Sequence, residues 1–153
     1  MKKKIVGLPD AEYITPTKED LERRFKEYNE KYFDGVLPKC HVTTTTVRGC
    51  NGIYVHTKKK STIYIGRYAY WTDETLKLVL IHEMVHHYVY MVIQPKHYVF
   101  PHGRIFNKVC ETLRKKYGLH VKVTELPILY YYKEKIPTTY LGKLWRKFFG
   151  PRF

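Results

Sequence analysis

Thr72-Asp-Glu-Thr-Leu-Lys-Leu-Val-Leu-Ile-His82-Glu83-Met-Val-His86-His-Tyr-Val-Tyr-Met-Val-Ile93 carries the pattern on which the fold and the chemistry turn. Thr72 suits an N-cap, and Asp73 and Glu74 place carboxylates where a helix dipole favours them. The run should stay helical to about Ile93, before Gln94-Pro95. It is apolar nearly all round, which makes it the central helix of a core. Four residues advance a helix by about 400°, so His82 and His86 project from one face, one turn apart. Two imidazoles so placed can share one Zn²⁺, and Glu83 beside them can take a proton from a water held there. A helix this apolar that buried two histidines and a glutamate without a metal would strand several polar groups.

Zinc hydrolases usually draw a third ligand from the protein and leave one position open. The longer H-E-x-x-H-x-x-G-x-x-H pattern needs a glycine at position 89 and a histidine at 92, but Val89 and Val92 stand there. His102, His97 and Glu111 are the candidates. His102 is favoured because it opens the next helix, and Gly103 beside it permits close packing. His97 sits in the Pro95–Pro101 loop. Glu111 lies more than two turns into the third helix. His87 points about 100° away from His86 and reads as a core residue or a support for the ligands.

Upstream, Thr17-x-x-Asp20 resembles a capping box, and Leu21, Phe25, Tyr28 and Tyr32 form a helical stripe that ends at Asp34-Gly35. Three strands are expected next: Cys40 to Val47, Gly52 to Thr57 and Thr62 to Gly66. Short turns at Arg48–Gly52 and Lys58–Ser61 suggest a small antiparallel meander. Downstream, a third helix should run from about His102 to Tyr117, with Ile105, Val109, Leu113 and Tyr117 as its buried stripe and Gly118 as its C′ residue. His120 to Glu125 reads as a short strand. The class is α+β, and residues 1–125 read as one domain.

Residues 126–153 differ in character, with six Lys/Arg against one acid and eight aromatics. Leu141, Leu144, Trp145 and Phe148 recur at helical spacing, with Lys143, Arg146 and Lys147 on the other side. This basic aromatic extension is expected to pack on, or hang from, the same domain.

Composition narrows the remaining choices. The 153 residues carry 28 Lys plus Arg, 14 Asp plus Glu and a net charge of +14. Such a balance predicts attraction to polyanions. The opening Met1-Lys-Lys-Lys-Ile-Val-Gly-Leu-Pro-Asp10 is too short in its apolar part for a signal peptide, so no export is expected. Lys77, His82, Glu83, His86 and His87 argue against a membrane span at 76–93. Three cysteines without a C-x-x-C pair favour free thiols in a reducing cytoplasm. The single serine, Ser61, lies in no G-x-S-x-G elbow, and phosphate-binding glycine loops are missing.

Tyr28-Asn-Glu-Lys-Tyr-Phe-Asp-Gly-Val-Leu-Pro38, then Leu80-Ile-His-Glu-Met-Val-His86, then His102-Gly-Arg-Ile-Phe106 together resemble the SprT-like metalloprotease family. The resemblance spans roughly residues 17 to 118, in the family's order. It implies a minimal zincin-like zinc protease fold, with His82, His86 and His102 as zinc ligands and Glu83 as the catalytic base. It also implies a protein substrate, since the best-understood members cut proteins crosslinked to DNA and are switched on by DNA. The zinc ribbon often found C-terminal in the family has no counterpart, because no cysteine follows Cys110.

The basic surface fits a nucleic-acid partner. Lys58, Lys59 and Lys60 at a hairpin tip, with Lys143, Arg146 and Lys147 in the extension, are the expected phosphate contacts. Arg104 is a further candidate, for holding an oxyanion. The expectation is a zinc endopeptidase acting near or on DNA, in the cytoplasm or associated with DNA. The rivals are a nucleic-acid-binding module with a structural or inactive zinc site, and a zinc amidohydrolase with a non-protein substrate.

Overall fold

Thr17 accepts a hydrogen bond from the Asp20 N–H at 3.2 Å and starts α1 (Lys18–Tyr32). The computed structural model of the chain describes residues 8–47 and 49–132. The expected stripe of Leu21, Phe25, Tyr28 and Tyr32 is buried. Arg24 is buried with it, which its charge concealed. Its guanidinium bonds Asp20, the Tyr28 hydroxyl and Asp73 at 2.6 Å, pinning α1 to the next long helix. α1 ends where Asp34 (φ 54°) and Gly35 (φ 69°) both turn left-handed. The Asn29 side chain then clamps the backbone of Leu37, donating to its carbonyl and accepting from its N–H at 3.2 and 3.1 Å.

The three strands are β1 (His41–Thr45), β2 (Gly52–His56) and β3 (Ser61–Gly66), close to the expected positions. Their arrangement corrects the antiparallel meander. The order is β1-β3-β2, with β1 parallel to β3 and only β2 antiparallel to it. β3 at the centre is the most buried strand, with Ile63 and Ile65 fully buried. The chain after β1 therefore crosses the end of β3 to reach the far edge. Gly66 makes that crossing possible. Its N–H donates to the Asn51 carbonyl at 2.8 Å, and a Cβ there would stand 1.7 Å from the Cys50 carbonyl oxygen. The β2–β3 hairpin itself closes as read, by Thr57 N–H to the Lys60 carbonyl at 2.9 Å.

α2 (Asp73–Tyr88) starts at a reciprocal Thr72–Thr75 capping box and continues as a π-helical turn, Val89–Ile93, to Gln94 at φ 49°. Leu76, Val79, Leu80, Ile81, Met84 and Val85 are fully buried, as a central helix requires. α3 (Arg104–Tyr117) ends at a left-handed Gly118. Its core face is Phe106, Cys110 and Leu113, so the expected stripe is displaced. Ile105, Val109 and Tyr117 are only half-buried, because they border a groove. Instead of a strand, residues 123–125 form a 3₁₀ turn.

Residues 126–132 pack back on the same core through Leu129, and residues 130–132 run against 68–70. The rest of the extension, with Lys143, Arg146, Lys147 and its apolar stripe, lies outside the described residues. Among the described residues no helix is long and apolar enough to cross a membrane, and the three cysteines are free thiols.

Candidate metal centre

His82 and His86 leave α2 on one face, and the start of α3 brings His102 to them. Their ligand nitrogens all lie within 4.8 Å of one another. His102 Nε2 is 3.2 Å from His82 Nε2 and 3.0 Å from His86 Nε2. Four nitrogens placed tetrahedrally about 2.0 Å from a zinc ion stand about 3.3 Å apart, so the spacing fits one cation. Phe106 walls the cluster, with its ring centroid 4.4 to 5.0 Å from all three imidazoles. That contact gives the His-Gly-x-x-Phe spacing a physical meaning. One turn of α3 sets His102 and packs Phe106 under it. The Asn107 side chain also donates to the His102 carbonyl at 3.1 Å.

His82 Nδ1–H donates to the Val121 carbonyl at 2.6 Å. This hydrogen bond leaves Nε2 as the unprotonated nitrogen and fixes the ring's direction. Burial, then the neighbouring His82 and His102, holds His86 well below the ordinary imidazole pKa. A neutral ring is the form that binds metal.

Glu83 is 1% exposed, and its Oε1 has no hydrogen-bond partner. Burial drives its pKa well above the usual carboxylate range, opposed by a hydrogen bond from the Tyr54 backbone N–H. Strand β2 passes this carboxylate closely because residue 52 is glycine. A Cβ at Gly52 would lie 2.9 Å from both Glu83 Oε1 and Val79 Cγ1. A buried carboxylate with one unpartnered oxygen, next to His82 in the chain, suits a bound cation nearby, and three converging histidines suit zinc among other transition metals.

Tyr54 ties the site to the sheet. Its ring lies parallel to that of His86, with centroids 6.5 Å apart. His87 Nε2–H donates to the Pro38 carbonyl at 2.9 Å, which leaves Nδ1 to accept from the Tyr54 hydroxyl at 3.1 Å. His87 is thus a buried support, within what the sequence suggested. Leu37-Pro38 is in turn fixed by Asn29, so the family's Asn…Leu-Pro signature reaches the metal helix through His87. Tyr54 and Val121 were not legible as site residues. A tyrosine in a strand and a backbone carbonyl carry no motif.

The other candidates go elsewhere. His97 is exposed on its loop, and Glu111 is bonded to Arg114 and to Lys122. Arg104 is exposed and lines a separate groove. Lys58, Lys59 and Lys60 are exposed at the hairpin tip.

A comparison with curated proteins returned no match. The model of the SprT-like family matches residues 21–125, from the first turn of α1 to the 3₁₀ turn. That span contains Asn29, Gly52, the three converging histidines, Glu83 and Phe106, and on it the chain belongs to the SprT-like family.

Proposed function

We propose that the protein is a zinc-dependent endopeptidase that cuts proteins at or near DNA. The observation that carries this is one constellation: His82, His86 and His102 converging, with the buried Glu83, whose Oε1 has no hydrogen-bond partner, next to His82 in the chain. These histidines would hold the ion, and the chemistry it supplies when bound is polarisation of a carbonyl and acidification of a water.

Glu83 does the proton work. It takes a proton from the attacking water and keeps it until the C–N bond breaks. The new C–O bond forms from that water, and Glu83 hands the proton to the departing amine. The Tyr54 N–H holds the carboxylate in place, and Gly52 leaves it room. Phe106 and the buried face of α2 keep bulk water away from the imidazoles.

The case for DNA rests on charge. The net +14 and the exposed Lys58–Lys60 tip suit phosphate contacts. The test is cleavage of casein and of a DNA-bound protein by zinc-loaded enzyme, with and without single- and double-stranded DNA, at two salt concentrations. Cleavage should rise with DNA, and the rise should shrink steeply with salt. Glu83→Gln should keep its zinc and lose roughly 10²–10⁴-fold in rate. Wild-type protein that holds zinc and DNA but cuts neither substrate would establish the nucleic-acid-binding module instead.

A further inference from the structure

A groove of about 690 Å³ lies between the end of α1, the end of α2 and α3, and it shares no residue with the metal centre. Its floor is aliphatic where it is open, with Val36, Val92 and Ile93 exposed by 39 to 49%. Ile105 and Val109, half-buried against the core, border it as well. One edge is basic. Arg104, Lys108 and Lys116 are exposed and line the groove. They stand at multiples of four residues on α3, with Arg104 and Lys108 about 6 Å apart along the axis and Lys116 about 12 Å further on. Among the described residues, Arg104 and Lys108 have no acidic partner. Asp34 is the one acid in the lining.

We propose that this groove docks an acidic amphipathic helix of a partner protein. Leu- or Ile-type side chains would fill the floor, and a row of Glu or Asp at four-residue spacing would face the α3 cations. Charge complementarity chooses this occupant over the others. A second copy of the chain brings +14 of its own. Residues 133–153 are themselves basic, with six Lys/Arg and one acid. Single-stranded nucleic acid needs open aromatic faces for its bases. Here Tyr32 packs edge-on against Tyr117 at 5.1 Å, and Phe33 tilts against Tyr88 at 5.8 Å. Tyr32 and Phe33 are also buried and Tyr88 and Tyr117 half-buried, so the most exposed apolar surface is aliphatic, on Val36, Val92 and Ile93.

The probe is a fluorescein-labelled synthetic helix of about four turns, with Leu on one stripe and Glu on the rest. Its controls are a scrambled peptide of identical composition and an oligothymidylate of similar charge. The scrambled control is essential because any acidic peptide is attracted to this protein. Anisotropy should show the patterned peptide binding at least about tenfold tighter than the scramble. Methyl shifts should map to Val92, Ile93, Ile105 and Val109. Arg104→Glu with Lys108→Glu, and separately Val92→Asp, should each cost about tenfold or more. All these residues are at the surface, so melting temperature and zinc content should match the wild type. Equal binding of the scramble, unchanged binding by the variants, or methyl shifts mapping elsewhere would each overturn the proposal. Displacement of the peptide from the groove by oligothymidylate would overturn it in favour of nucleic acid. None of these readouts depends on proteolysis.

Discussion

Gly52 shows how little room the site leaves. A methyl group there meets Glu83 Oε1 and Val79 Cγ1 at 2.9 Å, and neither atom can move far inside the core. Gly52→Ala should therefore displace the carboxylate while leaving the histidines in place. The expected outcome is a folded protein with wild-type zinc content and cleavage reduced at least about tenfold, as misplacement of a catalytic group implies. Zinc analysis beside an activity assay checks it. His86 gives a pH prediction. Its folded pKa lies well below the ordinary 6.5, chiefly through burial. A group with a depressed folded pKa binds fewer protons folded than unfolded. Its contribution to stability is intact above the unfolded value and is lost as pH falls below 6.5 towards the folded value. His87, also lowered by burial, acts in the same direction. Glu83, with its pKa raised, acts oppositely, so the comparison must isolate the imidazole. Metal-free wild type should lose melting temperature as pH falls from about 7 to 5, and metal-free His86→Gln should lose less. Equal slopes would contradict the assignment.

At the scale of elements, the crossing of β3 is the feature that decides the sheet. The β1–β2 connection meets Gly66 so closely that a side chain there would overlap the Cys50 carbonyl at 1.7 Å. Gly66→Ala must push β3 and that connection apart. It would also disturb the hydrogen bond from Trp71 Nε1–H to the Gly66 carbonyl at 2.7 Å. Overpacking that forces such backbone shifts costs typically about 1–3 kcal/mol, occasionally more, readable as a lower urea midpoint at unchanged slope. A near-neutral Gly66→Ala would mean that the strands can slide without cost. α3 illustrates a different element-scale effect. Its sequence stripe and its buried face differ by about one residue, because Phe106 follows the histidines inward while Ile105 turns to the groove.

Across the whole molecule, the candidate metal centre joins parts that lie far apart in sequence. α2 offers two donors, the start of α3 the third, and the chain beyond α3 the Val121 carbonyl that orients His82. A bound ion should therefore stabilise the whole domain. At a thousandfold excess over its dissociation constant, a ligand adds about 4 kcal/mol. Chelation should lower the melting temperature by several degrees, and zinc should restore it. His102→Ala should remove most of that difference, because two imidazoles hold the ion far less well. A chelation effect of equal size in His102→Ala would exclude His102 from the site.

The sequence by itself determined what depends on neighbours along the chain. The helical repeat puts His82 and His86 on one face whatever surrounds them. Thr17 and Thr72 cap their helices locally, and the Thr57–Lys60 turn closes its hairpin. The position of His102 before α3 also pointed to the third imidazole, whereas a Cβ at Gly103 would first meet Phe100, at 3.1 Å, and not the central helix. Only the tertiary structure decided what depends on packing between distant segments. A strand's own alternation does not name its partner, so β3's place at the centre followed from its burial and from the room that Gly66 leaves. The Val121 carbonyl and the Tyr54 N–H serve the site through backbone atoms that every residue possesses. Position alone selects them, and position is a property of the folded chain.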